Sequence, residues 1–150
     1  MTSPSRPAAF AQRLLALAGA VPDAAIATLA RISIAAIFWR SGQTKVEGWH
    51  LSETAVQLFA DEYQLPFLPP ELAATLVAAA EHMFPLLLVL GLAARLSALA
   101  LLGMTAVIQL LVYPDAWPIH GVWATALLVI IARGPGPISL DHLIRLRLSR

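Results

Sequence analysis

The chain has 150 residues, 59% of them hydrophobic and 13% charged, with a formal net charge of +1, whereas soluble domains average about 45–50% apolar and about 25% charged residues. The near-neutral balance removes an electrostatic case for nucleic acid. The absence of cysteine removes thiolate catalysis, disulfide exchange, iron–sulfur clusters and thiolate zinc sites. Apolar residues come in long blocks with no polar face to show to water, so the expected class is all-α: an integral membrane four-helix bundle, with residues 1–150 forming one domain.

In chain order, QRLLALAGAVPDA has a basic start, a short apolar run and small residues. It bears a partial likeness to a signal peptide and reads instead as an interfacial helix on the cytoplasmic side. The first span follows at about residues 24–40, interrupted only by Arg31. Next, LSETAVQLFADEYQLPFLPP places Leu51, Ala55, Leu58, Phe59 and Tyr63 near one helical stripe. Ser52 stands as N-cap and Pro66, Pro69 and Pro70 end the stretch, which predicts an amphipathic loop helix lying over the outer end of the bundle. The second span, about 72–92, carries Glu81, His82 and Pro85; the third covers about 95–113 and the fourth about 117–133. Seven cations (Arg6, Arg13, Arg95, Arg133, Arg145, Arg147, Arg150) flank one side and two (Arg40, Lys45) the other. That asymmetry predicts both termini in the cytoplasm of a bacterial inner membrane.

Charged residues inside the spans are the candidate functional groups. With Arg40 and Glu71 taken as level outer ends, Arg31 lies nine residues in and Glu81 ten, about 13–15 Å deep. A lone charge at that depth costs roughly 2.5–3.5 kcal/mol or more, so Arg31 and Glu81 are expected to form a buried ion pair. Such a pair serves equally as an inter-helix clamp or as part of a polar, proton-handling site. His82 is about 100° around the helix from Glu81, so only one of the two points into a shared pocket. Pro85 cannot donate to the carbonyl of Glu81, which predicts a bend beside the acid. His120 begins the fourth span at the outer surface while His82 is deep, so the two cannot be axial ligands of one haem. No metal site is expected.

A second polar group gathers at the outer end: Gln109 and Tyr113, one turn apart, then Asp115, Trp117 and His120, with Trp39, Arg40, Gln43 and Lys45 from the end of the first span. An aromatic belt accounts for the tryptophans. A ligand pocket lined by Trp39, Lys45, His82, Gln109, Tyr113 and His120, with donors such as Lys45, His120 and Gln109 for a quinone head group, accounts for the remainder.

The segments RISIAAIFWRSGQTKVEG, EHMFPLLLVLGLAARLSALALLGM and ARGPGPISLDHLI together resemble the DoxX family of small four-helix bacterial membrane proteins. The likeness runs from about Arg31 to Ile144. It rests on Arg31, the Ser41, Gly42 and Lys45 exit, Glu81, Gly91 and Arg95, and the final turn of Gly134, Pro135, Gly136, Ser139, Leu140 and Asp141. Pro137 departs from the basic residue frequent after the GPG in that family. The resemblance implies a redox-linked membrane subunit, since relatives include a subunit associated with thiosulfate:quinone oxidoreductase and others that assemble with a superoxide dismutase and a sulfurtransferase in oxidative-stress defence. Quinone is the cofactor it suggests, and a soluble oxidoreductase or a homo-oligomer the partner besides the lipid bilayer. The residues themselves give the GPG turn a simple role: glycines reverse the chain and Ser139 caps a short cytoplasmic helix from Leu140 to Leu148. That helix, apolar on Leu143 and Ile144 and basic on Arg145 and Arg147, would lie on the inner leaflet or dock a partner. A non-catalytic scaffold that recruits soluble enzymes is therefore the alternative, with small-solute or metal transport behind both.

Overall fold

The computed structural model describes residues 6–66 and 68–149; Arg150, one of the cations that suggested orientation, lies outside them. Seven α-helices follow in order: α1 Arg6–Gly19, α2 Asp23–Gln43, α3 Glu53–Leu58, α4 Pro70–Leu90, α5 Ala94–Val107, α6 Trp117–Arg133 and α7 Leu140–Leu148. A two-residue hairpin, β1 Val46–Glu47 with β2 His50–Leu51, joins α2 to α3. Both α3 and α5 end in wider π turns, Phe59–Tyr63 and Ile108–Val112, and Pro114–Ala116 forms a short 3₁₀ turn before α6.

Four helical stretches, Asp23–Gln43, Pro70–Leu90, Ala94–Val112 and Pro114–Arg133, are long and apolar enough to cross a membrane. They pack as a closed ring in which α2 touches α4, α4 touches α5, α5 touches α6 and α6 returns to α2. The all-α membrane bundle expected from composition is the observed fold, with the loop helix and the short last helix in place.

The pattern of burial is that of lipid-solvated helices. Ala27, Ala35, Ala73, Ala74, Ala78, Ala94 and Ala98 are buried, while Leu29, Leu76, Leu86, Leu99, Leu110 and Val122 are exposed. Hydrocarbon removes the hydrophobic drive between helices, so small residues at the contacts, which allow close backbone approach, decide the packing. A narrower core of Ile34, Phe38, Leu88, Leu101, Leu127 and Ile130 fills the centre.

Spans α2 and α4 are staggered, and the stagger places Arg31, Glu81 and His82. Gly42, near the end of α2, faces Glu81 and His82 in the middle of α4, and Arg31 reaches the carbonyls of Leu88 and Val89 at the far end of α4. The first three turns of α4 therefore project past α2 by about 15 Å. The lid formed by the hairpin, α3 and its π turn covers that projection. Ser52 caps α3 by accepting from the Ala55 N–H, and Phe59 is buried against Ala73 and Ala74, with Leu51, Tyr63 and Leu65 around it. At the opposite end, where α1 and α7 lie, the start of α2 is covered by the loop after α6: Gly136 sits against Ala24 and Ala27.

Candidate functional site

Polar side chains collect in three places, starting with the end that bears α7. Arg31 is 1% exposed and its guanidinium donates to Leu88 O at 3.0 Å, Val89 O at 3.3 Å and Ile138 O at 2.5 Å, with a longer contact to Thr28 Oγ1 at 3.5 Å. The first two acceptors are among the orphan carbonyls at the C-terminus of α4, where the helix dipole favours a cation. Gly91 ends that helix at φ +64, and the Leu92 N–H returns to Leu87 O at 2.9 Å, the Schellman arrangement that glycine allows. An added Cβ on Gly91 would fall 2.5 Å from Arg31 Nη1, so the glycine also makes room for the guanidinium.

Asp141 completes this assembly. Its two carboxylate oxygens accept from the N–H groups of Ala93 at 2.8 Å and Ala94 at 3.0 Å, at the start of α5, and its own N–H donates to Gly91 O at 2.9 Å. Ala93 takes a left-handed φ of +47, a conformation uncommon outside glycine, held by the first of these bonds. Ser139 caps α7 by accepting from His142 N, and donates to Gly136 O at 2.6 Å. The turn Gly134, Pro135, Gly136 and Ser139 through Asp141 is thus a strap that ties the end of α6 to the α4–α5 turn.

The second place is deeper. Lys45 Nζ lies 2.8 Å from Glu81 Oε2, with both side chains almost fully buried. Lys45 also donates to Ser41 O at 3.3 Å and Ser41 Oγ at 3.1 Å. The ion-pair contact is close without being an aligned hydrogen bond, which leaves Oε2 with no hydrogen-bond donor. The expected pairing of Arg31 with Glu81 does not form. It required Arg40 and Glu71 to be level, but the stagger lowers Arg31 by seven to eight residues of α4, about 10–12 Å, from Glu81. Lys45 supplies the counter-charge because the chain turns back after α2: its backbone N–H bonds Gly42 O at 2.9 Å and its carbonyl accepts from Ser52 N at 3.0 Å, which folds the lysine inward. Gly42 permits the approach, since a Cβ there would stand 3.1 Å from Glu81 Cβ and 2.9 Å from the His82 ring.

His82 faces the other way, into a groove of about 860 Å³ between α2 and α4. Its Nδ1 meets Ala78 O at 2.7 Å and its Nε2 meets Gln43 Nε2 at 2.8 Å. The carbonyl can only accept, so the proton is on Nδ1 and Nε2 accepts from the amide of Gln43. Trp39 stacks edge-on to His82 with centroids 5.1 Å apart, and Trp49 and Met83 line the rim.

The third place is the lid end of α5 and α6. His120 Nδ1 donates to Gln109 Oε1 at 2.8 Å, and Gln109 Nε2 donates to Pro114 O at 2.5 Å. Tyr113 donates a short hydrogen bond to Glu62 and stands 6.0 Å from the Tyr63 ring. The bond to Glu62 is the main reason the Tyr113 phenol is pushed up to about 12, with burial adding to it. Burial, then the charges of Glu81 and Glu62, raises Tyr63 as well.

The six residues expected to share one ligand pocket are therefore divided. Trp39 and His82 line the groove, Lys45 is consumed by Glu81, and Gln109, Tyr113 and His120 sit under the lid. Trp49 is a groove residue not singled out from the sequence, whereas Gln43, read there as part of the outer polar group, lines the groove beside His82. Among the described residues, no group of three or more His, Asp or Glu is placed to hold a metal ion.

A family model described as DoxX matches residues 26–114, a segment that contains Arg31, Lys45, Glu81, Gly91 and Arg95 and stops short of the GPG strap. An uncharacterised protein of Haemophilus influenzae is 27% identical over 117 residues, which is 71% of this chain and 77% of the relative. No solved structure matches.

Proposed function

Because the chain belongs to the DoxX family of membrane proteins, we propose that it is a redox- or oxidative-stress-associated membrane subunit that takes a lipid-soluble ring compound with carbonyl oxygens, of the quinone type, into the groove between α2 and α4. The observation that carries this reading is the pairing of His82 with Gln43 between Trp39 and Trp49. Two indoles offer ring faces. The second N–H of the Gln43 amide is free to meet a carbonyl, while His82 orients that amide by accepting its first. The groove opens toward lipid, since Met83 and Leu86 on its α4 wall are about half exposed, so a ligand dissolved in the bilayer reaches it without crossing water.

In this reading the bundle sits in a bacterial inner membrane with α1 and α7 on the cytoplasmic side, and it accompanies a soluble oxidoreductase rather than moving electrons alone. Photolabelling of the purified protein with an azido-quinone tests it: label on α2 or α4, reduced by Gln43→Leu and Trp39→Ala, supports the groove. Absence of quinone from an organic extract together with no labelling above that of a scrambled control overturns it.

The scaffold reading keeps a specific observation in its favour, the exposed Leu143, Leu146 and Leu148 beside Arg145 and Arg147 on α7. Capture of a soluble enzyme by the wild type that fails after Leu146→Ser, with the groove variants unaffected, would select it.

A further inference from the structure

We propose that the cleft between the start of α5 and α7 is a headgroup site for an anionic phospholipid of the surrounding bilayer. The cleft encloses about 330 Å³, the lower end of the range for small-molecule sites. Arg95 enters it from α5 and Arg145 from α7, and Leu96, Ile144 and Leu148 supply apolar walls. Two guanidinium groups on different helices suit the planar, bidentate recognition of a phosphate.

Charge bookkeeping around the cleft favours an anion. Arg133 is already paired with Asp23 at 2.5 Å, but among the described residues Arg145 forms no ion pair. Arg95 is exposed and makes one long bond, to Ala132 O at 3.3 Å. Asp141 borders the same cleft, but its oxygens accept from the N–H groups of Ala93 and Ala94 at the start of α5, and among the described residues it forms no ion pair with Arg95 or Arg145.

The apolar side of the cleft identifies the source of the phosphate. Leu96 is 71% exposed and continues along α5 into exposed Leu99, on a helix long and apolar enough to span the membrane. A phosphodiester held between Arg95 and Arg145 would lay its acyl chain on this strip, whereas a soluble phosphate would leave it uncovered. Basic clefts at the membrane surface between helices are suited to anionic headgroups for this reason.

Native mass spectrometry of the detergent-purified protein tests the assignment with phosphatidylglycerol and phosphatidylcholine of matched chains. The wild type should retain phosphatidylglycerol in preference, and Arg145→Gln or Arg95→Gln should each lower that preference about five-fold. Arg147→Gln, outside the cleft, should leave it unchanged, and Arg95→Lys, which keeps the charge without the planar fork, should fall between the wild type and Arg95→Gln. Equal retention of the two lipids, or an equal loss with Arg147→Gln, overturns the site. Displacement of phosphatidylglycerol by millimolar inorganic phosphate overturns the lipid as its occupant in favour of a soluble anion.

Discussion

The two ends of the bundle neutralise a buried cation in opposite ways. At the α7 end, Arg31 spreads its charge over three backbone carbonyls and, among the described residues, meets no carboxylate side chain within salt-bridge distance. Toward the lid, Lys45 and Glu81 answer one another as full charges, and the lysine has Ser41 besides. A cation resting on helix-end dipoles keeps its neighbours neutral whatever happens to any single acceptor. An ion pair removed from water makes each partner hostage to the other. The α7 end is thus built to hold, and the middle of α4 is the place where one substitution changes the energy most.

Four experiments press on that contrast, beginning with the largest effect. Lys45→Met should destabilise the protein by about 3–5 kcal/mol, the cost of an uncompensated buried charge, read from unfolding in mixed micelles. Glu81→Gln should cost less, because Lys45 keeps its two contacts with Ser41. The double variant should be more stable than Lys45→Met alone, and strict additivity would show that the two residues do not interact.

Arg31→Lys keeps the charge but cannot reach α4 and Ile138 together, so it should lose about 1.5–3 kcal/mol, the range for hydrogen bonds to a charged group. A neutral outcome would mean that the charge alone matters at this end. Asp141→Ala should follow at about 1–2 kcal/mol, the scale of a lost helix cap, and should raise protease sensitivity at the α4–α5 turn. Cleavage confined to α7 instead would show that the strap does not secure that turn.

The smallest effect is electrostatic and lies under the lid. The folded-state pKa of Tyr113, about 12, exceeds the ordinary phenol value of about 10. Its contribution is therefore complete below pH 10 and declines as pH rises toward 12. Since Tyr113 is substantially exposed, the change should be small. Ultraviolet titration should find an early phenolate in Glu62→Gln, and an unchanged midpoint would remove Glu62 as the cause.

Much of the architecture was legible in the sequence because the rules involved are local. Ser52 and Ser139 announced their caps through backbone chemistry within a few residues, whereas Pro70, read as ending the loop helix, in fact opens α4, and Gly91, read within the span, closes it. The candidate site was legible only in its residue types. Arg31 and Glu81 were marked by being charged in apolar runs, yet their partners were not readable: an acceptor such as Ile138 O, 107 residues away, is a backbone atom and carries no signature. Lys45 was read as a ligand donor at the outer end of the first span, and its burial against Glu81 follows from a chain reversal that returns it against α4.

What the sequence determined by itself was composition-driven: a chain this apolar must place its backbone in helices to survive hydrocarbon, and alanine and glycine at the contacts decide how close those helices come. Tertiary structure alone decided the stagger of α2 against α4. Span limits read from hydropathy leave a helix free to slide along its neighbour by a turn or two at little cost in apolar exposure. The close approach of Gly42 to Glu81, and the landing of Arg31 on the end of α4, remove that freedom. A slide of two turns separates a cation from one partner and delivers it to another, and for this reason the charges were visible in the sequence while their pairing was not.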